Sequence, residues 1–239
     1  MIKLDLPEKP AQLTADFQTE KTLEFQRTQN SVWKRDWLKE AVLNMAFGKC
    51  CYSEILLDEE SKYMEIEHFY PKSKYPEKVL EWGNLLPSCK KCNIAKDDHD
   101  VEIEPIVNPF ADDPKEFLYF KNYRYFPKNE VGERTILVLD INHHSLVKPR
   151  FKIGDKIMAD LEDLKENIDH LETKKQSHYI RQIKKLLEQG NRKEEYAALT
   201  ASTILNDDNF SSIEKSLKER GLWDNELEEL KRELIFCAL

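Results

Sequence analysis

Residues 63–98 read YMEIEHFYPKSKYPEKVLEWGNLLPSCKKCNIAKDD, and the fold turns on them. Met64 and Ile66 alternate with Glu65 and Glu67, the two-residue period of a short strand that carries Glu67 and His68 at its end. A loop rich in lysine and proline follows, and NLLPS then reads as a second short extended stretch. CKKCNIAKDD reads as a helix bearing Cys89 and Cys92. Taken singly these pieces say little. A Glu-His dipeptide is usually a surface or core-edge feature, and a lone CxxC serves redox and structural uses alike.

A CxxC on a helical turn needs further ligands from elsewhere to complete a four-coordinate zinc. The cysteines available upstream are Cys50 and Cys51 in KCCYSE, residues 49–54. Where a CxxC would place its second thiol stands Ser53, so this arm arrives one thiol short. Cys50, Cys89 and Cys92 could bind zinc as a three-thiolate site with water or another ligand. The alternative is a metal-free thiol cluster packed by Tyr52, Ile55, Leu86 and Ile94.

The ordered combination E-H-x-x-P, then N-L-L, then C-x-x-C-N-x-x-K resembles the HNH endonuclease family and its ββα-metal core. The resemblance implies an α+β fold, with that core embedded between an N-terminal helix and a mostly helical C-terminal region. It makes His68 the general base, Glu67 and Asn93 ligands of one catalytic Mg²⁺ or Mn²⁺, and Asn84 the central asparagine that holds the loop and aims His68. Lys96, with Lys72 and Lys74, would contact phosphates. Phosphodiester hydrolysis needs these types: a neutral imidazole to take a proton from water, and hard oxygen ligands for a divalent cation.

Further stretches narrow the match. SVWKRDWLKEAVLNMAFGKCCYSE precedes the core, and EIEPIVNPFADDPKEFLYF and RTILVLDINHHSLVKPR follow it. Together they are similar to the PtuB-like HNH nuclease subunits of Septu and related retron anti-phage defence systems. That likeness spans about residues 1–155 and implies a nucleic-acid substrate, with DNA favoured, and a PtuA-like ATPase partner. Rival readings are an HNH scaffold that binds nucleic acid or a partner without cutting, a stand-alone restriction-type enzyme, and a nuclease acting on RNA.

Outside the core, residues 1–14 look extended, and 30–47 read as an amphipathic helix stopped by Gly48. FLYF (117–120), RYF (124–126) and TILVLDI (135–141) look like strands. From about residue 153 the pattern is helical: Ile157, Leu161, Leu164, Ile168 and Leu171, then Ile180, Ile183 and Leu187, with short helices expected over 212–220 and 224–237. The implied divisions are an N-terminal arm and helix (1–47), the nuclease core (48–110), a short β segment (111–152) and a helical region (153–239). His143 and His144 have no convergent carboxylate and read as surface or structural, and Cys237 as packing.

Net charge is −8 over 239 residues, which excludes a protein that coats nucleic acid through global charge. Residues 69–96 carry six lysines against Glu77 and Glu81, a local +4. The acidic run DDHDVEIE follows directly, read as solvated or as a brake on nonspecific binding. No apolar run approaches the roughly 18 residues of a membrane span. MIKLDLPEKP lacks an apolar leader core, so cytoplasm is the expected compartment.

Overall fold

The computed structural model describes residues 1–57, 64–168 and 175–239. Its organising element is an antiparallel hairpin of β1 (Met64–His68) and β2 (Leu85–Cys89), followed without a break by helix α3 (Lys90–Lys96). The register pairs Met64 with Cys89 at one end and His68 with Leu85 at the other. Pro87 sits within β2 opposite Ile66, which a two-stranded sheet tolerates because each strand keeps an unpaired edge. That edge is used: the Pro87 carbonyl accepts from the Cys51 N–H at 2.9 Å and docks the upstream knuckle on the hairpin. Asp97, at φ 44°, ends α3.

Two helices precede the hairpin. In α1 (Ala15–Thr28) the Thr14 hydroxyl accepts from the Phe17 N–H, and Gln29 closes the helix in the left-handed region. The second, α2 (Asp36–Asn44), is shorter than the 30–47 stretch reads. Asn30–Arg35 stay outside it because Arg35 is extended at the helix start and Trp33 is drawn into ring contacts with Phe25 and His68. Residues 1–14 hold no regular element, and where they were expected to run extended, residues 11–13 turn, with the Leu13 N–H donating to the Pro10 carbonyl.

A small hairpin joins β3 (Leu118–Lys121) to β4 (Arg124–Pro127), where two strands were expected. The next expectation fails. TILVLDI is not a strand but the end of helix α4 (Glu130–Val138). Its β-branched run favours a strand locally, but the Asn129 side chain caps Gly132 and acidic Glu130 and Glu133 favour the first turn. Gly132 is needed there, since a Cβ would overlap the Phe117 carbonyl oxygen. Thr135 accepts from the Val107 N–H at 2.9 Å while donating to its own helix.

The remaining helices are α5 (His144–Ile168), α6 (Gln176–Glu188), α7 (Ala197–Leu205), α8 (Asp208–Glu219) and α9 (Asn225–Cys237). Helix α5 begins well before residue 153 and carries Pro149 inside it, at the cost of one backbone hydrogen bond. Ile157, Leu161, Leu164 and Ile168 are buried as the periodicity requires, and Leu171 lies outside the described residues. On α6 the buried face is Tyr179, Ile183, Leu186 and Leu187, rotated away from Ile180. The apolar α7, unforeseen in the sequence, packs against α5 and α9.

The chain divides into two compact units, one of Met1, Lys3–Leu118 and Phe126–Ile141, the other of Ile2, Tyr119–Tyr125 and Asn142–Leu239. The mixture of helices and small antiparallel sheets is α+β, as expected. No helix among the described residues is long and apolar enough to cross a membrane.

Candidate functional site

His68 ends β1, and its environment fixes its chemistry. Its Nε2 lies 3.0 Å from the Val79 carbonyl oxygen. A carbonyl only accepts, so Nε2 carries the proton and the neutral ring keeps its lone pair on Nδ1. The Trp33 ring stands edge-on to the imidazole with centroids 4.7 Å apart. Burial, with smaller contributions from the Lys72 and Lys96 charges against the Val79 hydrogen bond, holds the His68 pKa down to about 3. The side chain is therefore neutral throughout the physiological range.

Val79 is in turn held by its neighbours. Asn84 accepts from the Tyr70 N–H at 2.6 Å and donates to the carbonyls of Tyr70 and Lys78, so its carboxamide ties the β1–β2 loop at both ends. The Phe69 N–H donates to the Asn84 carbonyl as well. The residue expected to hold the loop thus contacts its backbone directly, next to the carbonyl that receives His68.

Glu67 is buried and meets Lys96 of α3, with Nζ 2.6 Å from Oε1. Oε1 has no partner in good hydrogen-bond geometry besides this ion pair. The same ammonium donates to the His68 carbonyl at 2.9 Å. Burial is the larger influence and pushes the Glu67 carboxyl up to about 7 against the pull of Lys96. Lys96 is 1% exposed, so its ammonium does not face solvent as a phosphate contact would require. Of the other lysines, Lys72 is exposed, lines the cavity and stands 5.4 Å over the Trp33 ring. Lys74 lies 3.9 Å from Asp100 and is not among the lining residues.

Glu67, His68, Lys72 and Asn93 line one cavity of about 550 Å³, the structural point at which the sequence-derived residues meet. Phe25, Trp33, Asp97 and Asp98 also line it and were not singled out in the sequence. The two aspartates follow the CNIAK helix directly, so continuing one turn past Lys96 was the available signal. Trp33 and Phe25 had no signal beyond being aromatic. A carboxylate with a poorly satisfied oxygen and a carboxamide lining the same cavity are hard donors of the kind a divalent cation takes, with Lys96 as the resident counter-charge.

At the opposite end of the hairpin, the sulfurs of Cys50, Cys89 and Cys92 all lie within 4.8 Å of one another and are buried. This cluster can bind a metal. Cys51 is excluded from it: its N–H goes to Pro87, and burial pushes its thiol well up. Within the cluster, burial opposes ionisation of Cys50, but hydrogen bonds from Cys89, Cys92 and Ser53 outweigh it and lower that thiol. Tyr52 and Leu86 are buried nearby, whereas Ile94 is 63% exposed at the cavity and does not cover the sulfurs. His143 bonds Ser145 at the start of α5, and Cys237 is buried, both as expected.

No family model matches the chain. A Septu protein PtuB from Bacillus mycoides (strain KBAB4) is 29% identical over 158 residues, covering 52% of this chain and 53% of that protein. Septu protein PtuB from Bacillus thuringiensis is 38% identical over 237 residues, covering 96% of this chain and 92% of that protein. A likeness of that strength, running through hairpin, knuckle and C-terminal helices alike, shows that the chain belongs to the Septu PtuB family.

Proposed function

We propose that this protein is a metal-dependent endonuclease of the HNH type, cutting phosphodiester bonds of nucleic acid, with DNA the favoured substrate. Within a Septu anti-phage defence system it would be the effector, restrained or licensed by a PtuA-like ATPase. The observation that carries this reading is the meeting of Glu67, His68 and Asn93 around one cavity, with the His68 tautomer set by Val79.

His68 takes the proton of an attacking water at Nδ1, while Nε2 stays bound to Val79. A phosphate entering the cavity brings negative charge and raises the basicity that burial suppresses. Trp33 limits the ring's rotation, and Asn84 keeps the Val79 carbonyl in line through the loop. Lys72, at the cavity and exposed, attracts the backbone phosphate. Magnesium or manganese held by Glu67 and Asn93 would supply charge neutralisation at the scissile phosphate and leaving oxygen. At the cysteine cluster we assign structural zinc, because three buried cysteine sulfurs at this spacing, deprotonated as the ion binds, suit a tetrahedral zinc.

The rival reading, a scaffold that binds without cutting, draws on one observation: Glu67 already has a counter-ion in Lys96. Cleavage of duplex DNA, single strands and RNA by the purified protein, alone and with its ATPase partner, separates the two. The nuclease reading expects cleavage that stops in excess EDTA and returns with magnesium or manganese. Nucleic-acid binding with no cleavage under every condition would establish the scaffold instead.

A further inference from the structure

The loop Cys50–Ser53 and the helix start Cys89–Cys92 are built alike. In the second, the Cys92 N–H donates to the Cys89 sulfur at 3.4 Å, and Cys92 then contributes its own sulfur to the cluster. In the first, the Ser53 N–H donates to the Cys50 sulfur at the same 3.4 Å. Ser53 therefore occupies, in the upstream knuckle, the position that Cys92 occupies in the downstream one. Its side chain is turned to match, with Oγ 3.7 Å from the Cys89 sulfur.

We propose that the Ser53 hydroxyl is the fourth ligand, completing a Cys50–Ser53–Cys89–Cys92 site for a tetrahedral zinc ion. The spacing fits. Sulfurs about 2.3 Å from zinc at tetrahedral angles stand about 3.8 Å apart, and an oxygen ligand sits slightly closer. The observed Oγ to Sγ separation of 3.7 Å is such an edge.

Burial argues against bulk water in the fourth position, since Ser53 is 0% exposed and the three cysteines at most 4%. Ser88 is the other hydroxyl nearby, 4.0 Å from the Cys50 sulfur. Its proton is directed to the Cys89 carbonyl at 3.2 Å, and it lies on β2, outside either knuckle. Zinc binding would displace the protons of the three thiols and leave the serine as a neutral oxygen donor. Such a site is weaker than one of four thiolates.

The inference rests on the zinc reading of the cysteine cluster and is independent of the nuclease reading. The test is to strip the reduced full-length protein of metal and titrate it with Co²⁺, then Zn²⁺, alongside Ser53→Ala, Ser53→Cys and Ser88→Ala. Wild type should take one ion per chain that gives a tetrahedral, thiolate-bound visible spectrum. Ser53→Ala should weaken binding about tenfold or more. Ser53→Cys should bind more tightly and raise the thiolate charge-transfer band by about one third, as three sulfurs become four. Ser88→Ala should match wild type. Wild-type affinity and spectrum in Ser53→Ala, or the loss appearing in Ser88→Ala instead, would overturn the role of Ser53 and leave the zinc reading standing. Failure of the wild-type protein to bind either ion would overturn both.

Discussion

The two ends of one short hairpin are built on opposite principles. Where Met64 faces Cys89, the polar work is done by sulfur and backbone N–H groups that tolerate burial. Where His68 faces Leu85, about 13 Å away along the strands, ionisable groups are buried against their preference. Glu67 is pushed towards its neutral form, His68 is held neutral, and Lys96 is sealed between them. The first arrangement holds shape. The second packs a carboxyl, an imidazole and an ammonium together, with the carboxyl and the imidazole lining a cavity, a placement that functional sites favour.

The sharpest way to break that contrast is to remove the imidazole. His68→Ala should lower cleavage by about 10²–10⁴-fold while leaving the far-ultraviolet circular dichroism spectrum and the metal content of the cysteine cluster unchanged. A variant that still cuts at the wild-type rate ends the case for His68 as base.

Lys96→Met comes next. It leaves the Glu67 carboxylate buried without its counter-ion, and should cost about 3–5 kcal/mol in urea unfolding. In metal-free buffer the Glu67 carboxyl should also titrate higher than in wild type, as read by carbon-detected NMR. An unchanged midpoint would mean that the ion pair does not hold that end of the hairpin.

Asn84→Ala removes three side-chain hydrogen bonds within the loop and should cost about 2–3 kcal/mol. Because Val79 is released with the loop, activity should fall more steeply than stability alone accounts for at temperatures where the protein stays folded. Equal losses in both would reduce Asn84 to a structural staple.

The smallest effect is one of pH. The folded-state pKa of Glu67 lies above its ordinary value of 4.5, at about 7. The folded protein therefore holds a proton the unfolded chain has released. The contribution of this group to stability falls as pH rises through that window and levels off above it. With chelator present, the difference between wild type and Glu67→Gln should track this slope, and a flat difference from pH 4.5 to 7.5 would contradict it.

Much of the site was legible because its residues are close in sequence. The alternation through Met64 and Ile66, the CxxC and the Asn93–Lys96 spacing each report on a single element. What escaped depends on distance or on competition between scales. Trp33 read as part of a helical face, but its contacts with Phe25 and His68 pulled it out of the helix. Lys96 read as a phosphate contact through the resemblance, as the basic residue one turn past Asn93; only the folded chain reveals the buried carboxylate opposite. The strand assigned to Thr135–Ile141 failed because propensity was weighed over its own β-branched residues, without the cap at Asn129. Helix α7 was missed because its nine residues mix small, apolar and hydroxyl side chains, with Thr200 and Ser202 buried beside Leu199 and Ile204, so it shows no amphipathic period.

The grip of Asn84 on Tyr70 and Lys78 also has a consequence for variation. It pins the base of the loop, so residues 71–77, with Lys72 and Lys74 among them, hang between two fixed points. Within it the Pro71 carbonyl accepts from the Lys74 and Tyr75 N–H groups, Tyr75 bonds Asp100, and the Pro76 carbonyl accepts from the Val79 N–H. The exposed Lys72, Ser73 and Lys74 are therefore the positions whose side chains can change without moving the carbonyl that sets the His68 ring. These three exposed positions are thus where the surface beside the cavity can vary while the contact between His68 and the Val79 carbonyl beneath stays constant.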